Sequence, residues 1–242
     1  MLQTNHTQKI YYSLRVASAM CFIGHGAFGI ITKEIWCNYF AVFGIGHDAA
    51  YTLMPYVGVA DICFGLMIIF FPLRIVFGWL VVWGSITALL RPLSGEPFAE
   101  FIERAGNYGA PLALLFLTYI KQKGKWFKPV TIQNIQTNEQ TLKYVKLCLS
   151  VVVFLLFAGH GWLNLVEKKS LLAQYKSVGF SNTENVAHII GSLEILAAVS
   201  VLIKPVPSVI IILFTWKVIS ELFYRFIITR MVPVAAYFYH EK

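Results

Sequence analysis

Four titratable side chains lie inside long apolar stretches of this 242-residue chain: His25, Asp61, His160 and Glu194. Such groups are costly inside a membrane, usually turn towards other helices, and by default mark a function. Imidazole and carboxylate groups bind metal ions, histidine also ligates haem iron, and both can exchange protons or hydrogen-bond a ligand. The positions of these four residues therefore limit the chemistry that the chain can carry.

The four residues belong to an internal repeat. The triplet Gly24-His25-Gly26 returns as Gly159-His160-Gly161 in a second apolar run. An offset of 135 residues pairs His25 with His160, Lys33 with Lys168 and Gly44 with Gly179, and an offset of 133 pairs Gly58 with Gly191, Asp61 with Glu194, Gly65 with Ala198, Pro72 with Pro205 and Trp83 with Trp216. Because a repeat decides the fold, the chain is interpreted as two copies of one unit.

Composition places the chain in a membrane. Hydrophobic residues make up 57% of it and charged residues only 13%, against roughly 25% charged residues in soluble domains. The net charge of +8 would suggest nucleic acid in a soluble protein, but a basic excess in a membrane protein usually sits in cytoplasmic loops. We therefore expect the lipid bilayer as a partner and no nucleic acid.

A membrane-spanning helix needs about 20 mostly apolar residues. Seven runs meet or approach this length, at residues 14–31, 53–71, 75–90, 108–120, 145–166, 186–203 and 206–227. An eighth run, 232–239, is too short to cross a hydrocarbon core of about 30 Å. The predicted fold is an all-α polytopic membrane protein of two pseudo-symmetric four-helix units, with about 7 to 8 transmembrane helices. The first unit covers residues 1–120, a basic cytoplasmic linker covers 121–143, and the second unit, with a shortened last helix, covers 144–242.

Lysine and arginine set the predicted orientation. If the N-terminus is cytoplasmic, most basic residues outside the spans fall on the inner side and most loop acids on the outer side, as the positive-inside rule requires. His25 and Asp61 then lie roughly 9 and 12 Å below the outer surface, and His160 and Glu194 repeat these depths. All four side chains are expected at one level of the membrane.

Small residues flank both acids on one helix face. Gly58 and Gly65 bracket Asp61, and Gly191 and Ala198 bracket Glu194 at the same spacing. A stripe of small residues lets another helix, or a flat ligand, approach closely.

Three interpretations of the four residues stay open. Each histidine could hydrogen-bond the acid of a neighbouring antiparallel helix and only hold the helices together. The residues could instead bind a cofactor: a haem between His25 and His160, a metal ion held by all four side chains, or a quinone. A proton or ion pathway is the third interpretation.

A second polar cluster occurs only in the second half. Lys217, Glu221 and Arg225 follow one another at i+4 spacing and share one helix face. They form either a self-neutralising ladder of ion pairs or a contact for an anion, a quinone headgroup or a relayed proton. In the first half, an insertion at residues 98–104 predicts a short amphipathic helix on the outer surface, placed to cover the site.

The repeated motif resembles a known family. It comprises His25-Gly26, Gly44, Gly58-x-x-Asp61, Gly65 and Leu73-Arg74, and again His160-Gly161, Gly179, Gly191-x-x-Glu194 and Lys204. This pattern is similar to that of the DoxX-like membrane proteins, which are related to the DoxD and MauE groups. The resemblance implies a tandem duplication of a four-helix membrane unit in the prokaryotic cytoplasmic (inner) membrane.

The resemblance also implies a role in membrane redox systems, including thiosulfate to quinone oxidoreduction, and in thiol or oxidative-stress complexes. We therefore expect electron transfer linked to a quinone, haem or metal ion, with other membrane or periplasmic redox subunits as partners. A small-solute or proton-coupled transporter and a structural subunit of a larger complex are the alternatives.

Overall fold

The computed structural model describes residues 2–118, 125–132, 135 and 138–231, with side chains for residues 6–220 of these ranges and for Leu222. Within these ranges the chain is all-α, apart from one isolated bridge between Leu73 and Pro129. The helices are α1 Leu2–Ile30, α2 Trp36–Ala41, α3 His47–Phe70, α4 Arg74–Leu93, α5 Ala99–Glu103, α6 Ala105–Leu117, α7 Glu139–Leu165, α8 Lys169–Ser177, α9 Thr183–Ile203 and α10 Pro207–Met231.

Five of the described helices are long and apolar enough to cross a membrane: His6–Ile30, His47–Phe70, Arg74–Leu93, Glu139–Leu165 and Thr183–Ile203. Two more apolar stretches, Ala105–Leu117 and Pro207–Ser220, are shorter. At 1.5 Å per residue the 13 residues of α6 extend only about 20 Å. The all-α class and the multi-pass membrane protein are thus supported, while the predicted run at 232–239 lies outside the described residues.

The start of helix α3 differs from the predicted span. Helix α3 begins at His47, six residues before the predicted start at Leu53, after Gly46 in extended conformation. Its first turn carries Asp48, which suits the positive end of the helix dipole. A search for apolar runs misses such a polar first turn.

The chain divides into two compact units, Met1–Val153 and Phe154–Lys242, and the division falls within helix α7. In the first unit α3 and α6 contact α1, and α6 also contacts α4. The core between them contains Tyr11, Leu14, Phe22, Ile68, Phe77, Leu80, Leu114 and Leu117. The burial of these side chains stabilises the arrangement of the helices that carry the site.

The described part of the predicted linker packs on the first unit. Val130 is 3% exposed, and its N–H donates to the carbonyl of Pro72 at 2.8 Å. Tyr11 Oη donates to the Val130 carbonyl at 3.0 Å. These bonds tie residues 125–132 to helix α1 and to the segment that follows α3.

Close helix crossings place the acids in the interior. A Cβ on Gly58 would lie 2.5 Å from the Gly26 carbonyl oxygen, and a Cβ on Gly191 would lie 2.6 Å from that of Gly161. The prediction that the small-residue stripes admit another helix is therefore confirmed in both units. In each unit the acid of the repeat follows this glycine by three residues: Asp61 follows Gly58 on α3, and Glu194 follows Gly191 on α9.

Short helices lie between the long ones in both units. Helix α2 is followed by Gly44 with φ +73°, and α8 by Gly179 with φ +103°. Both glycine N–H groups donate back to the preceding helix, to Ala41 and Lys176 respectively. Glycine adopts this left-handed conformation at little cost, which explains why both repeats carry it there.

We expect Gly58→Ala and Gly191→Ala each to lower the free energy of unfolding by about 1–3 kcal/mol, because each added methyl group meets backbone that must shift. Gly24→Ala is the matched control, since a Cβ there meets nothing within 4 Å. Unfolding of the purified protein in mixed micelles by SDS would measure both. Equal stability of Gly58→Ala and Gly24→Ala would contradict the close crossing.

Candidate functional site: two cavities with related walls

Each unit contains a cavity among its membrane helices. The first has a volume of about 130 Å³ and is lined by His25, Trp36, Tyr39, Phe40, Phe43, Ile45, Val57, Asp61, Trp83, Thr87, Leu90 and Arg91. The second has a volume of about 240 Å³ and is lined by His160, Gln174, Tyr175, Val178, Phe180, Ile190, Glu194, Trp216, Ile219 and Ser220. Both walls combine an imidazole, a carboxylate and an indole with apolar and aromatic side chains.

The two offsets of the sequence repeat relate the walls to each other. Besides the pairs His25/His160, Asp61/Glu194 and Trp83/Trp216, they match Tyr39 with Gln174, Phe40 with Tyr175, Phe43 with Val178, Ile45 with Phe180, Val57 with Ile190 and Thr87 with Ser220. Every residue lining the second cavity except Ile219 thus has an equivalent in the first. The two cavities are therefore lined largely by residues that the sequence repeat pairs with one another.

An indole N–H holds the acid in both units. Trp83 Nε1 donates to Asp61 Oδ1 at 2.7 Å, and Trp216 Nε1 donates to Glu194 Oε1 at 3.1 Å. Both carboxylates are 3% exposed. A buried carboxylate needs such donors because it has lost its water.

In the first cavity the histidine is held by an amide rather than by the acid. Asn107 Nδ2 lies 3.2 Å from His25 Nε2, and Cys21 Sγ donates to Asn107 Oδ1 at 3.3 Å. Asn107 comes from α6, which contacts α1. His25 and Asp61 thus line one cavity but make no hydrogen bond to each other among the described contacts.

In the second cavity the histidine and the acid bond directly. His160 Nδ1 lies 2.7 Å from Glu194 Oε2, and Asn164 Nδ2 donates to the same oxygen at 3.3 Å. With Trp216 on the other oxygen, Glu194 accepts hydrogen bonds from three side chains. Such a set of donors satisfies a carboxylate that burial has removed from water.

A tyrosine of the short helix α8 completes this network. Tyr175 Oη donates to Asn164 Oδ1 at 2.7 Å. Burial, followed by the nearby negative charge of Glu194, raises the pKa of Tyr175 to about 12. The phenol therefore keeps its proton at neutral pH and stays a donor.

Three sequence differences separate the two networks. The first unit has Gly29 where the second has Asn164, and Phe40 where the second has Tyr175. Its acid is an aspartate, one methylene shorter than Glu194. Without the amide and the phenol, and with the shorter acid, the first unit cannot form the network of the second.

A charged cluster borders the first cavity. Arg91, which lines the cavity, pairs with Glu96 at 3.1 Å and with Glu100 at 3.4 Å. Tyr39 Oη donates to Glu96 at 2.6 Å, and Arg104 pairs with the fully buried Glu100 at 2.5 Å. The predicted short helix is present as α5, and this cluster connects it to the cavity wall. The predicted polar and apolar faces are wrong in part, because Glu100 is fully buried whereas Phe98, just before the helix, is 53% exposed.

The predicted site residues are thus distributed over two cavities, His25 with Asp61 and His160 with Glu194. Among the residues described, no group of three or more His, Cys, Asp or Glu side chains is placed to hold a metal ion. The four-ligand metal site and the two-histidine haem site combine residues of both units and stay predictions. Lys217 lies on α10, while the side chains of Glu221 and Arg225 lie outside the described residues.

Three further residues take part in the site: Asn107, Asn164 and Tyr175. The sequence repeat does not indicate them, because different residues occupy the positions equivalent to Asn164 and Tyr175, and Asn107 belongs to no repeated pair. The repeat does indicate Trp83 and Trp216, since each follows the acid of its unit by 22 residues.

Comparison of the chain with protein-family models, with curated proteins and with solved structures gives no match. The resemblance to DoxX-like proteins stays a prediction.

We expect Glu194→Ala to lower the free energy of unfolding by about 1–3 kcal/mol or more, because three donors lose their acceptor in the interior. Glu184→Ala is the matched control, since Glu184 is exposed in the first turn of the same helix. Thermal unfolding of both variants in nanodiscs is the measurement. A Glu194→Ala protein as stable as the control would contradict the buried network.

Proposed function

We propose that the chain is an integral membrane protein of the DoxX-like kind that binds a quinone headgroup in each of two pseudo-symmetric units. It would act in a membrane redox system of the prokaryotic cytoplasmic membrane, with its N-terminus in the cytoplasm. The observation that carries the proposal is the recurrence, at equivalent positions, of a cavity with one imidazole, one carboxylate and aromatic walls between membrane helices.

The chemistry of the walls suits a quinone. A quinone ring is flat and apolar, and its two carbonyl oxygens need hydrogen-bond donors. Trp36, Phe40 and Trp83 supply aromatic surface in the first cavity, and His25 supplies a polar contact. Tyr175, Phe180 and Trp216 supply the aromatic surface around His160 in the second.

The sizes of the cavities also favour a headgroup. Volumes of about 130 and 240 Å³ lie below the roughly 300 Å³ at which pockets for drug-sized ligands begin. A single ring with its apolar tail among lipids needs less room than a ligand enclosed as a whole. Each cavity has one histidine, so neither by itself supplies the two axial imidazoles of the haem hypothesis.

The proposed protein works with other subunits. Electrons would come from membrane or periplasmic redox partners, because the sequence carries no flavin or nucleotide fingerprint. The chain itself would bind, orient and shield the headgroup in the bilayer.

A packing role for the histidine and acid is the second candidate, favoured by the direct bond of 2.7 Å between His160 and Glu194. In that case neither cavity would bind quinone, and substitutions there would change stability alone.

Binding of decylubiquinone to the protein in nanodiscs tests the proposal. Tryptophans line both cavities, so quenching of their fluorescence reports occupancy, and we expect saturation at two molecules per chain. Val57→Trp and Ile190→Trp would fill the first and second cavity respectively, and each should leave one site. Val59→Trp is the control, since Val59 is 52% exposed on the same helix as Val57. Quenching that never saturates in the wild-type protein would refute the proposal.

A further inference from the structure

The two histidines present opposite hydrogen-bonding character to their cavities, because different partners occupy different ring nitrogens. In a neutral imidazole one nitrogen donates and the other accepts, and the bond made by one nitrogen fixes the role of the other. The partners of His25 and His160 therefore assign what each ring offers to a ligand.

For His25, the amide of Asn107 determines which ring nitrogen carries the proton. Asn107 Oδ1 accepts from the Cys21 thiol at 3.3 Å, which turns the amide nitrogen towards His25 Nε2 at 3.2 Å. An amide nitrogen can only donate, so Nε2 carries the lone pair. The proton of the neutral ring is then on Nδ1, and His25 presents a donor.

For His160, the carboxylate of Glu194 determines which ring nitrogen carries the proton. The Tyr175 hydroxyl fixes the amide of Asn164 by donating to its oxygen, and the amide nitrogen lies 3.2 Å from the His160 carbonyl oxygen and 3.3 Å from both Glu194 Oε2 and His160 Nδ1. The shorter contact of His160 Nδ1 is the one of 2.7 Å to Glu194 Oε2, and because a carboxylate oxygen accepts, Nδ1 donates to it. In the neutral ring the lone pair is then on Nε2, and a neutral His160 presents an acceptor.

Both of these ring nitrogens can be reached from the cavities. His25 and His160 line their cavities, and neither Nδ1 of His25 nor Nε2 of His160 makes a hydrogen bond among the described residues. Of the described side chains, the buried nitrogen and oxygen atoms without a partner are Ser18 Oγ and one Arg74 nitrogen. The two ring nitrogens are not among them, so each keeps some accessible surface, on a ring that lines its cavity.

We propose that the two cavities bind different redox states of the same headgroup: the first binds the quinone, whose carbonyl accepts from His25, and the second binds the quinol, whose hydroxyl donates to His160. This inference rests on the proposed function and adds to it a division of labour between the units. No electron transfer is part of it, since it concerns binding alone.

The single-site proteins test the preference. Ile190→Trp retains the first cavity and Val57→Trp the second, and each is titrated with decylubiquinone and, under argon, with decylubiquinol. We expect Ile190→Trp to bind the quinone about tenfold more tightly than the quinol, and Val57→Trp to show the reverse, as the net worth of one hydrogen bond implies. Equal ratios of quinone affinity to quinol affinity in the two proteins would overturn the inference.

Substitutions that exchange the tautomers provide a sharper test. Asn107→Asp in the Ile190→Trp protein gives His25 Nε2 an acceptor. The lone pair should then be on Nδ1, and the binding preference should move towards the quinol. Glu194→Gln in the Val57→Trp protein should move the preference towards the quinone, because an amide can donate to Nδ1. Asn107→Leu is the control: it removes the bond without imposing the other tautomer, and it should not favour the quinol.

The outcomes separate the two proposals. Saturable binding with an unchanged ratio in Asn107→Asp and Glu194→Gln would overturn the division of labour and leave quinone binding intact. A purely structural role of Asn107 would lower both affinities by the same factor, which also overturns the inference. Absence of saturable binding of either form to the wild-type protein would overturn both proposals.

Discussion

A carboxylate buried between membrane helices is the constraint on which each unit depends. Asp61 and Glu194 are 3% exposed, and a carboxylate in such a place must be surrounded by donors or be neutralised. The indole of the next long helix supplies one donor in both units. The close crossing at the preceding glycine brings the histidine helix against the acid helix, and the cavity lies where these three side chains meet.

The units satisfy this constraint in different ways. In the second, an amide, an imidazole and an indole all bond Glu194, and the Tyr175 hydroxyl fixes the amide. In the first, Asn107 from α6 holds the histidine and leaves the acid to Trp83. The hydrogen bonds around the two acids differ because a few side chains differ.

The charged border of the first cavity extends this asymmetry. Glu100 is fully buried yet lies between Arg91 and Arg104, so its charge is balanced on both sides. A buried ion cluster of this kind is costly to break because the remaining charges lose their partners. It therefore fixes helix α5 firmly to the end of α4, beside the aromatic wall formed by Tyr39.

Much of the framework follows from the sequence, since long apolar runs must bury their backbone polar groups as helices in a membrane. The all-α class and the close helix crossings were predicted in this way, and five of the seven or eight predicted spans are helices long and apolar enough to cross a membrane. Residues 119–124 and 232–242, which include the eighth predicted run, lie outside the described residues, and the pseudo-symmetry and orientation stay predictions.

The sequence by itself also determined which positions carry the polar groups, because a repeat of His, Gly, acid and Trp at fixed offsets is visible without coordinates. Only the tertiary structure decided which residues form hydrogen bonds with these polar groups. Asn107 reaches His25 from 82 residues away, and Tyr175 reaches Asn164 from a short helix that no apolar pattern indicates. Hydrogen bonds between distant residues depend on side-chain directions and on one methylene of length, and the periodicity of a sequence records neither.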